Sequence, residues 1–262
     1  MKKQHIGFFL MVVAALGLAS STIIMKLLLQ ETAMSPAHVA IWRFSIAAPL
    51  MWLVVFIRQP SSGWIPKHPF WLLGLGLVFS IASFSALFAL SRLSLSLYVI
   101  IVYIYPSMVV FFSLITGRPV PRLYWLGLPM TLLGLILTSF EFGQSLIIDE
   151  IGLVITLFNA MAMAAYLILS EKVFKKVEDR ILGTNWMLTG AMLVGLLMIT
   201  IMEISIPDTP TGWVLLLSFG VFGTFMPIFA MNIGLQMTGA ARGSIIITLQ
   251  PVLVVIFSMI IF

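Results

Sequence analysis

Residues 94–116 read SLSLYVIIVYIYPSMVVFFSLIT, a run of 23 residues with no charge and one central proline, Pro106. A helix crossing the hydrocarbon core of a bilayer takes about 20 apolar residues, so this run is long enough to span. Residues 239–262, GAARGSIIITLQPVLVVIFSMIIF, repeat its pattern 145 positions later. Pro106 meets Pro251, Ile100-Ile101 meets Ile245-Ile246, Val109-Val110 meets Val254-Val255 and Phe112-Ser113 meets Phe257-Ser258. Nine of the 29 pairs taken from 89–117 are identical, more than apolar composition alone supplies. At the same offset Ile6-Gly7 meets Ile151-Gly152, and each pair opens an apolar stretch.

The rest of the chain has the same character. Of 262 residues, 61% are apolar and 9% charged, against about a quarter charged in a soluble domain. So little charge cannot cover a water-facing surface, which excludes a soluble enzyme, a nucleic-acid binder and a disordered chain. The net charge of +5 does not mark a polyanion partner, because the basic residues fall in short loops between spans. Cysteine is absent, which removes disulfides, iron–sulfur clusters, thiolate zinc sites and cysteine nucleophiles together.

Breaking the chain at proline, glycine and charge clusters leaves nine apolar stretches: 6–29, 37–57, 69–91, 94–116, 122–140, 150–170, 181–202, 212–236 and 239–262. None alternates with the period of two expected of a barrel strand, and backbone groups in lipid must be satisfied within their own segment. The expected fold is therefore all-α, a polytopic membrane protein of about nine transmembrane helices. The first stretch runs past the signal-peptide-like Ala19-Ser20 to Leu29 and is read as a span.

The repeat divides the chain into 1–148, with five spans, and 149–262, with four. Five is odd, so the second copy is expected to insert upside down, the inverted-repeat plan of many secondary transporters. A counterpart of 122–140 is expected near 267–285, beyond Phe262, so the chain reads as a truncated or reduced ten-span protein. Placing the N-terminus in the cytoplasm puts Lys2, Lys3, Arg58, Lys67, Arg118, Arg122, Lys172, Lys175, Lys176, Arg180 and Arg242 inside and Arg92 outside. Glu31, Glu141, Asp149, Glu150, Glu203 and Asp208 then fall outside.

Gly7 through Lys26, the stretch Ala40-Ile41-Trp42-Arg43-Phe44, Pro106 and the second-half counterparts Gly152 and Pro251 resemble the EamA-type drug/metabolite transporter superfamily. The resemblance implies a ten-helix inner-membrane carrier, often an exporter of amino acids or other small metabolites, with a central cavity between two halves. It identifies no substrate. Two departures stand out: the Gly-Glu pair usual after the fourth span here reads Gly117-Arg118, and the tenth helix is missing.

No GxSxG, HExxH or P-loop occurs, and His5, His38 and His68 are scattered, so neither an enzyme, a metal centre nor a nucleotide-driven pump is expected and no cofactor is implied. The candidates are intramembrane polar groups, which are costly and functional by default. Lys26 lies near the outer end of span one, and Arg43 about 9 Å into span two at 1.5 Å per residue. No Asp or Glu sits in the middle of any span, so a proton-coupled exporter of lipophilic cations is disfavoured. A cationic mouth suits substrates bearing a carboxylate, zwitterionic amino acids or organic anions. Lys26 also reads as a snorkelling side chain, and Arg43 as a partner of helix-end carbonyls.

Ser20, Ser83, Tyr98, Tyr103, Asn159, Tyr166, Asn232, Thr248 and Gln250 complete the candidate cavity lining, with helix–helix hydrogen bonding as the competing role. Pro106 and Pro251 are expected kinks, static or part of a symmetric gate. Trp42, Trp64, Trp71, Trp125 and Trp213 are expected in interfacial belts, and Gly74, Gly76, Gly190, Gly195, Gly220 and Gly223 at close helix contacts. The expected partners are a small-molecule substrate, the lipid bilayer and a second copy of the chain. The expected function is a secondary exporter working by alternating access; the alternatives are a non-transporting scaffold and a lipid-carrier partner subunit.

Overall fold

With no water in the bilayer core to pair with backbone groups, an apolar stretch satisfies them by coiling into a helix. Each described stretch does so. The computed structural model describes residues 2–60, 63–90, 92–93, 95–116, 129, 133, 149–201 and 203–261. Apart from 129 and 133, the span expected over 122–140 lies outside these residues, as do Arg118, Arg122, Trp125, Glu141 and the Gly117-Arg118 pair. The described helices are α1 Lys2–Glu31, α2 Pro36–Arg58, α3 Pro69–Leu90, α4 Leu95–Val102, α5 Tyr105–Ile115, α6 Glu150–Phe174, α7 Arg180–Ile199, α8 Pro210–Gly220, a π-turn Val221–Phe225, α9 Met226–Thr238, α10 Ala240–Ile247 and α11 Leu249–Ile261. Taken as continuous rods they make eight segments long and apolar enough to cross a membrane.

Local chemistry sets the boundaries. Ser35, Asp149, Asp179 and Thr209 cap helices by accepting backbone N–H groups of the following first turn. The two mid-span prolines do more than kink. The span over 94–116 breaks after Val102, and its counterpart breaks after Ile247, 145 positions later. In both, the last turn before the break tightens: Ile104 N–H bonds Ile101 O at 3.1 Å and Thr248 N–H bonds Ile245 O at 3.2 Å. The sixth apolar stretch runs beyond 170 to Phe174, which places Glu171 inside a helix and leaves it only 6% exposed.

Contacts between the ends of helices establish how the repeats lie. At one end Arg58 pairs with Asp179 at 2.8 Å, Lys67 with Glu178 at 2.6 Å, and Trp186 Nε1 donates to Trp64 O at 3.1 Å. At the other end Arg92 pairs with Asp149 at 3.2 Å, Trp42 Nε1 donates to Ser205 O at 3.0 Å, and Trp42 packs on Trp213. Gly7, at the start of α1, sits against Met237 and Thr238 at the end of α9, beside the first set. Gly152, at the start of α6, sits against Arg92 and Leu93 in the second set. The equivalent helices α1 and α6 therefore run in opposite senses through the bundle. The first set marks a basic end and the second an acidic end, and both tryptophan groups lie at these ends.

Close packing is local. α3 and α7 cross through Gly76 and Gly190, whose Cα positions face Met187 O and Leu73 O. Gly220 and Gly223 likewise meet Ile46 and Ser21. Gly74, expected at a helix contact, has no neighbour within 4 Å of a Cβ position, and Gly195 has only ordinary contacts. A helix surface turns about 100° per residue, so a glycine two positions from a contact points elsewhere.

One cap carries a pH signature. The Asp149 carboxylate accepts Gly152 N–H at 2.7 Å and faces Arg92; the N–H first, and the guanidinium after it, hold its pKa below the usual 3.8. A carboxyl depressed in the folded state stabilises above its unfolded pKa and loses that contribution as pH falls through the lower folded value. The wild type is therefore expected to lose thermal stability on acidification below about pH 4, and Asp149→Asn, which keeps a good cap without the charge, to show a flatter profile. Melting curves at pH 7 and 3.5 check this; parallel losses in both proteins would refute it.

Candidate functional site

Polar and aromatic side chains at mid-span converge on one cavity of about 360 Å³, the size of a small-metabolite pocket. Its lining comes from the halves of α1, α3 and α6 nearer the acidic end, with contributions from α2, the α4–α5 break, α8 and α11. Toward the basic end it is floored by a packed aromatic cluster. Phe79 packs against Tyr166 with ring centroids 4.7 Å apart and meets Phe44 edge-to-face at 5.7 Å, and the last two are fully buried.

Arg43 is the charged residue of the lining. Its Nε donates to Thr224 Oγ1 at 3.3 Å, and its guanidinium carbon lies 5.2 Å from the ring centroids of both Phe44 and Phe219. Two aromatic faces and one hydroxyl thus hold the plane of the guanidinium. Among the described residues it has no carboxylate partner and its terminal N–H groups make no hydrogen bond. Among the described residues its hydrogen bond goes to the Thr224 hydroxyl and not to a helix-end carbonyl. Thr224 owes its position to the π-turn over Val221–Phe225, where its Oγ1 donates to Phe219 O five residues back at 3.1 Å. Such turns are frequent at functional sites.

A second polar group lines the cavity on the side of α3, α4 and α6. Asn159, 4% exposed, accepts Tyr98 Oη at 3.0 Å and donates to Ala82 O and to Ser85 Oγ at 3.1 Å. One amide therefore ties three helices together. Tyr103 and Tyr105 straddle the α4–α5 break with ring centroids 5.7 Å apart. Gln250 reaches across from α11, its Nε2 donating to Leu18 O at 3.4 Å.

Of the sequence candidates, Arg43, Ser83, Tyr98, Tyr103, Asn159, Gln250 and Pro251 line this cavity. Ser20 turns back to bond Leu16 O at 3.0 Å, and Lys26 is exposed near the acidic end of α1. Thr248 bonds Ile245 O at the α10–α11 break, and Pro106 is buried at the head of α5. Tyr166 and Asn232 belong to a separate buried network, in which Tyr166 Oη and Ser170 Oγ donate to Asn232 Oδ1 at 2.8 and 3.2 Å. These six lie outside the cavity lining because a helix shows only one face to it. Sequence reading missed Tyr105, Phe79, Phe219 and Thr224. The repeat could have flagged Tyr105, since it stands 145 residues before Gln250; nothing comparable marks Thr224.

Comparison with known proteins agrees with this architecture. The EamA-like transporter family matches residues 5–140 and again residues 150–262, once per repeat. A probable transport protein of Saccharomyces cerevisiae is 23% identical over 292 residues, covering 99% of this chain and 82% of its own. A crystal structure of a protein 17% identical in sequence superposes with a TM-score of 0.80 over 99% of this chain and 88% of that one.

Proposed function

The chain belongs to the EamA-like transporter family, and from that premise we propose that it is a secondary carrier exporting small amphipathic metabolites with a carboxylate, amino acids or organic anions, by alternating access. The observation that carries the substrate class is Arg43. A cation without a carboxylate partner among the described residues, clamped between two rings at the wall of a cavity, supplies a planar fork of donors for an anionic group. Tyr98, Tyr103, Tyr105 and Phe79 offer apolar faces and hydroxyls to the remainder of an amphipathic solute.

The halves 1–148 and 149–262 are the moving units in this reading. Their opposite orientation supports exchange of roles, since two structurally similar halves swapping conformations produce outward-facing and inward-facing states of comparable energy. Arg58, Lys67, Lys175, Arg180 and Arg242 gather at the basic end, which supports a cytoplasmic N-terminus in a cell's inner membrane. The cavity lies toward the acidic end, so the conformation is the outward-facing one. Export is the direction that the resemblance to EamA-type carriers implies, and gradients of substrate, protons or membrane potential supply the drive.

Counterflow in liposomes tests the proposal. Purified protein preloaded with an unlabelled amino-acid or organic-anion pool is expected to take up labelled members of the same class saturably, with competition by other carboxylates. Saturable flux confined to cations would overturn the substrate class. No flux across the panel from folded protein would favour a scaffold or lipid-carrier subunit.

A further inference from the structure

The half of the bundle nearer the basic end is closed, and polar groups close it. Beyond the Tyr166–Ser170–Asn232 network, Glu171 reaches from α6 to the head of α10. Its Oε2 accepts Ala240 N–H at 2.7 Å and its Oε1 accepts Lys175 Nζ at 2.6 Å. Ala240 is the first residue of α10, entered from Gly239 at φ +83°, a left-handed conformation that glycine adopts without strain. Nearby on the same half, the fully buried Asn185 amide finds no partner among the described residues for either its nitrogen or its oxygen, nor does Gln236 Nε2. A seam holding this many polar groups is costly in an apolar bundle and comes into its own when water reaches it.

The repeat identifies what the seam becomes. Subtracting 145 from Tyr166 and Ser170 gives Ser21 and Met25, both of which line the open cavity on α1. The closed face of α6 is thus the repeat image of the open wall. Subtracting 145 from Glu171 gives Lys26, and from Ala240 gives Leu95. An ammonium donates hydrogen bonds and cannot accept an N–H, so Lys26 cannot reproduce at the acidic end what Glu171 does at the basic end.

We infer that the Tyr166–Ser170–Glu171 face of α6 is the wall of the inner vestibule, and that the Glu171–Ala240 bond is the latch that keeps it shut while the outer cavity is open. The two gates are then held by different chemistry. The latch biases the protein toward its outward-facing state until α10 releases the carboxylate. This inference rests on the alternating-access reading of the previous subsection and not on the substrate assigned there.

Because the chain has no cysteine, single cysteines report the gates directly. Ser83→Cys marks the outer cavity and Ser170→Cys the inner wall; each is reacted in proteoliposomes with a membrane-impermeant methanethiosulfonate applied from either side. Glu171→Gln is expected to lower labelling at position 83 and raise it at position 170, changing their ratio about tenfold, the size expected for one charge-assisted hydrogen bond. Ala240→Pro removes the donated N–H and sets a ring carbon against the carboxylate oxygen that accepted it, at a first helical position where proline is at home; it is expected to do the same and keeps the test sharp if Glu171→Gln folds poorly. Lys175→Met, which spares the latch, is expected to leave the ratio at its wild-type value. Unchanged ratios in Glu171→Gln and Ala240→Pro, or a rise at 170 without a fall at 83, would overturn the latch. Failure of alternating access itself would look different: wild-type labelling at both positions would ignore every transported solute.

Discussion

Arg43→Gln is expected to raise the concentration needed for half-maximal transport by about 30-fold or more while leaving the protein folded and at normal levels. Arg43 lies seven residues into α2 from Pro36, about 10 Å along the helix axis, where an ion pair with a substrate carboxylate would be little screened. Truncating one partner of a desolvated charge pair costs about 2–5 kcal/mol, and every 1.4 kcal/mol is a factor of about ten in affinity. Glutamine keeps a donor of similar reach but removes the charge, so the fold has little reason to object. Thr224 Oγ1 still donates to Phe219 O, and the two flanking rings, Phe44 and Phe219, are buried in the core independently of the charge. Arg43→Lys is expected to fall between, since an ammonium restores the charge without the planar fork that lies against Phe44 and Phe219. Normal transport by Arg43→Gln would remove the guanidinium from substrate recognition and leave the aromatic wall as the basis of selectivity.

Gly76→Ala is expected to cost about 2–3 kcal/mol of stability or to prevent folding, a large effect for one methyl group. The added Cβ would run into Met187 O and lie 2.7 Å from Ala191 N, both backbone atoms of α7 that no rotamer change can move. Ser80 Oγ, one turn along α3, donates to Ala191 O at 3.2 Å and pins the same crossing, so the two helices cannot part without losing that bond as well. Gly74→Ala provides the contrast. Nothing stands within 4 Å of that site, and alanine is the better helix former by about 1 kcal/mol, so no loss and a small gain are expected. Thermal unfolding in detergent, followed by fluorescence-detected size exclusion, reads both; equal melting temperatures for the two variants would mean the α3–α7 crossing is not as tight as described.

Much of this architecture was legible before any coordinates, and the reason is the solvent. Lipid enforces length, apolarity and helicity segment by segment, so the stretches 6–29, 37–57 and 69–91 correspond to α1, α2 and α3 within a few residues. The offset of 145 located both helix breaks, because removing a backbone donor at Pro106 or Pro251 acts on its own turn and needs no neighbour. Arg43 stood out for the same local reason: a charge inside an apolar run is visible wherever it points. The sixth stretch was harder to end, since Lys172, Lys175 and Lys176 look like a loop, yet α6 continues through Glu171 and buries it.

Facing direction is another matter. Tyr98 and Tyr166 are both mid-span tyrosines of equal promise on paper, but one lines the cavity and the other donates to Asn232 beneath its floor. Thr224 became the partner of Arg43 through a five-residue π-turn 181 positions away, and Glu171 met Ala240 across 69. A residue's hydropathy records whether it tolerates lipid; which neighbour it finds depends on helix rotation and crossing, and these are settled by packing among segments far apart in the chain.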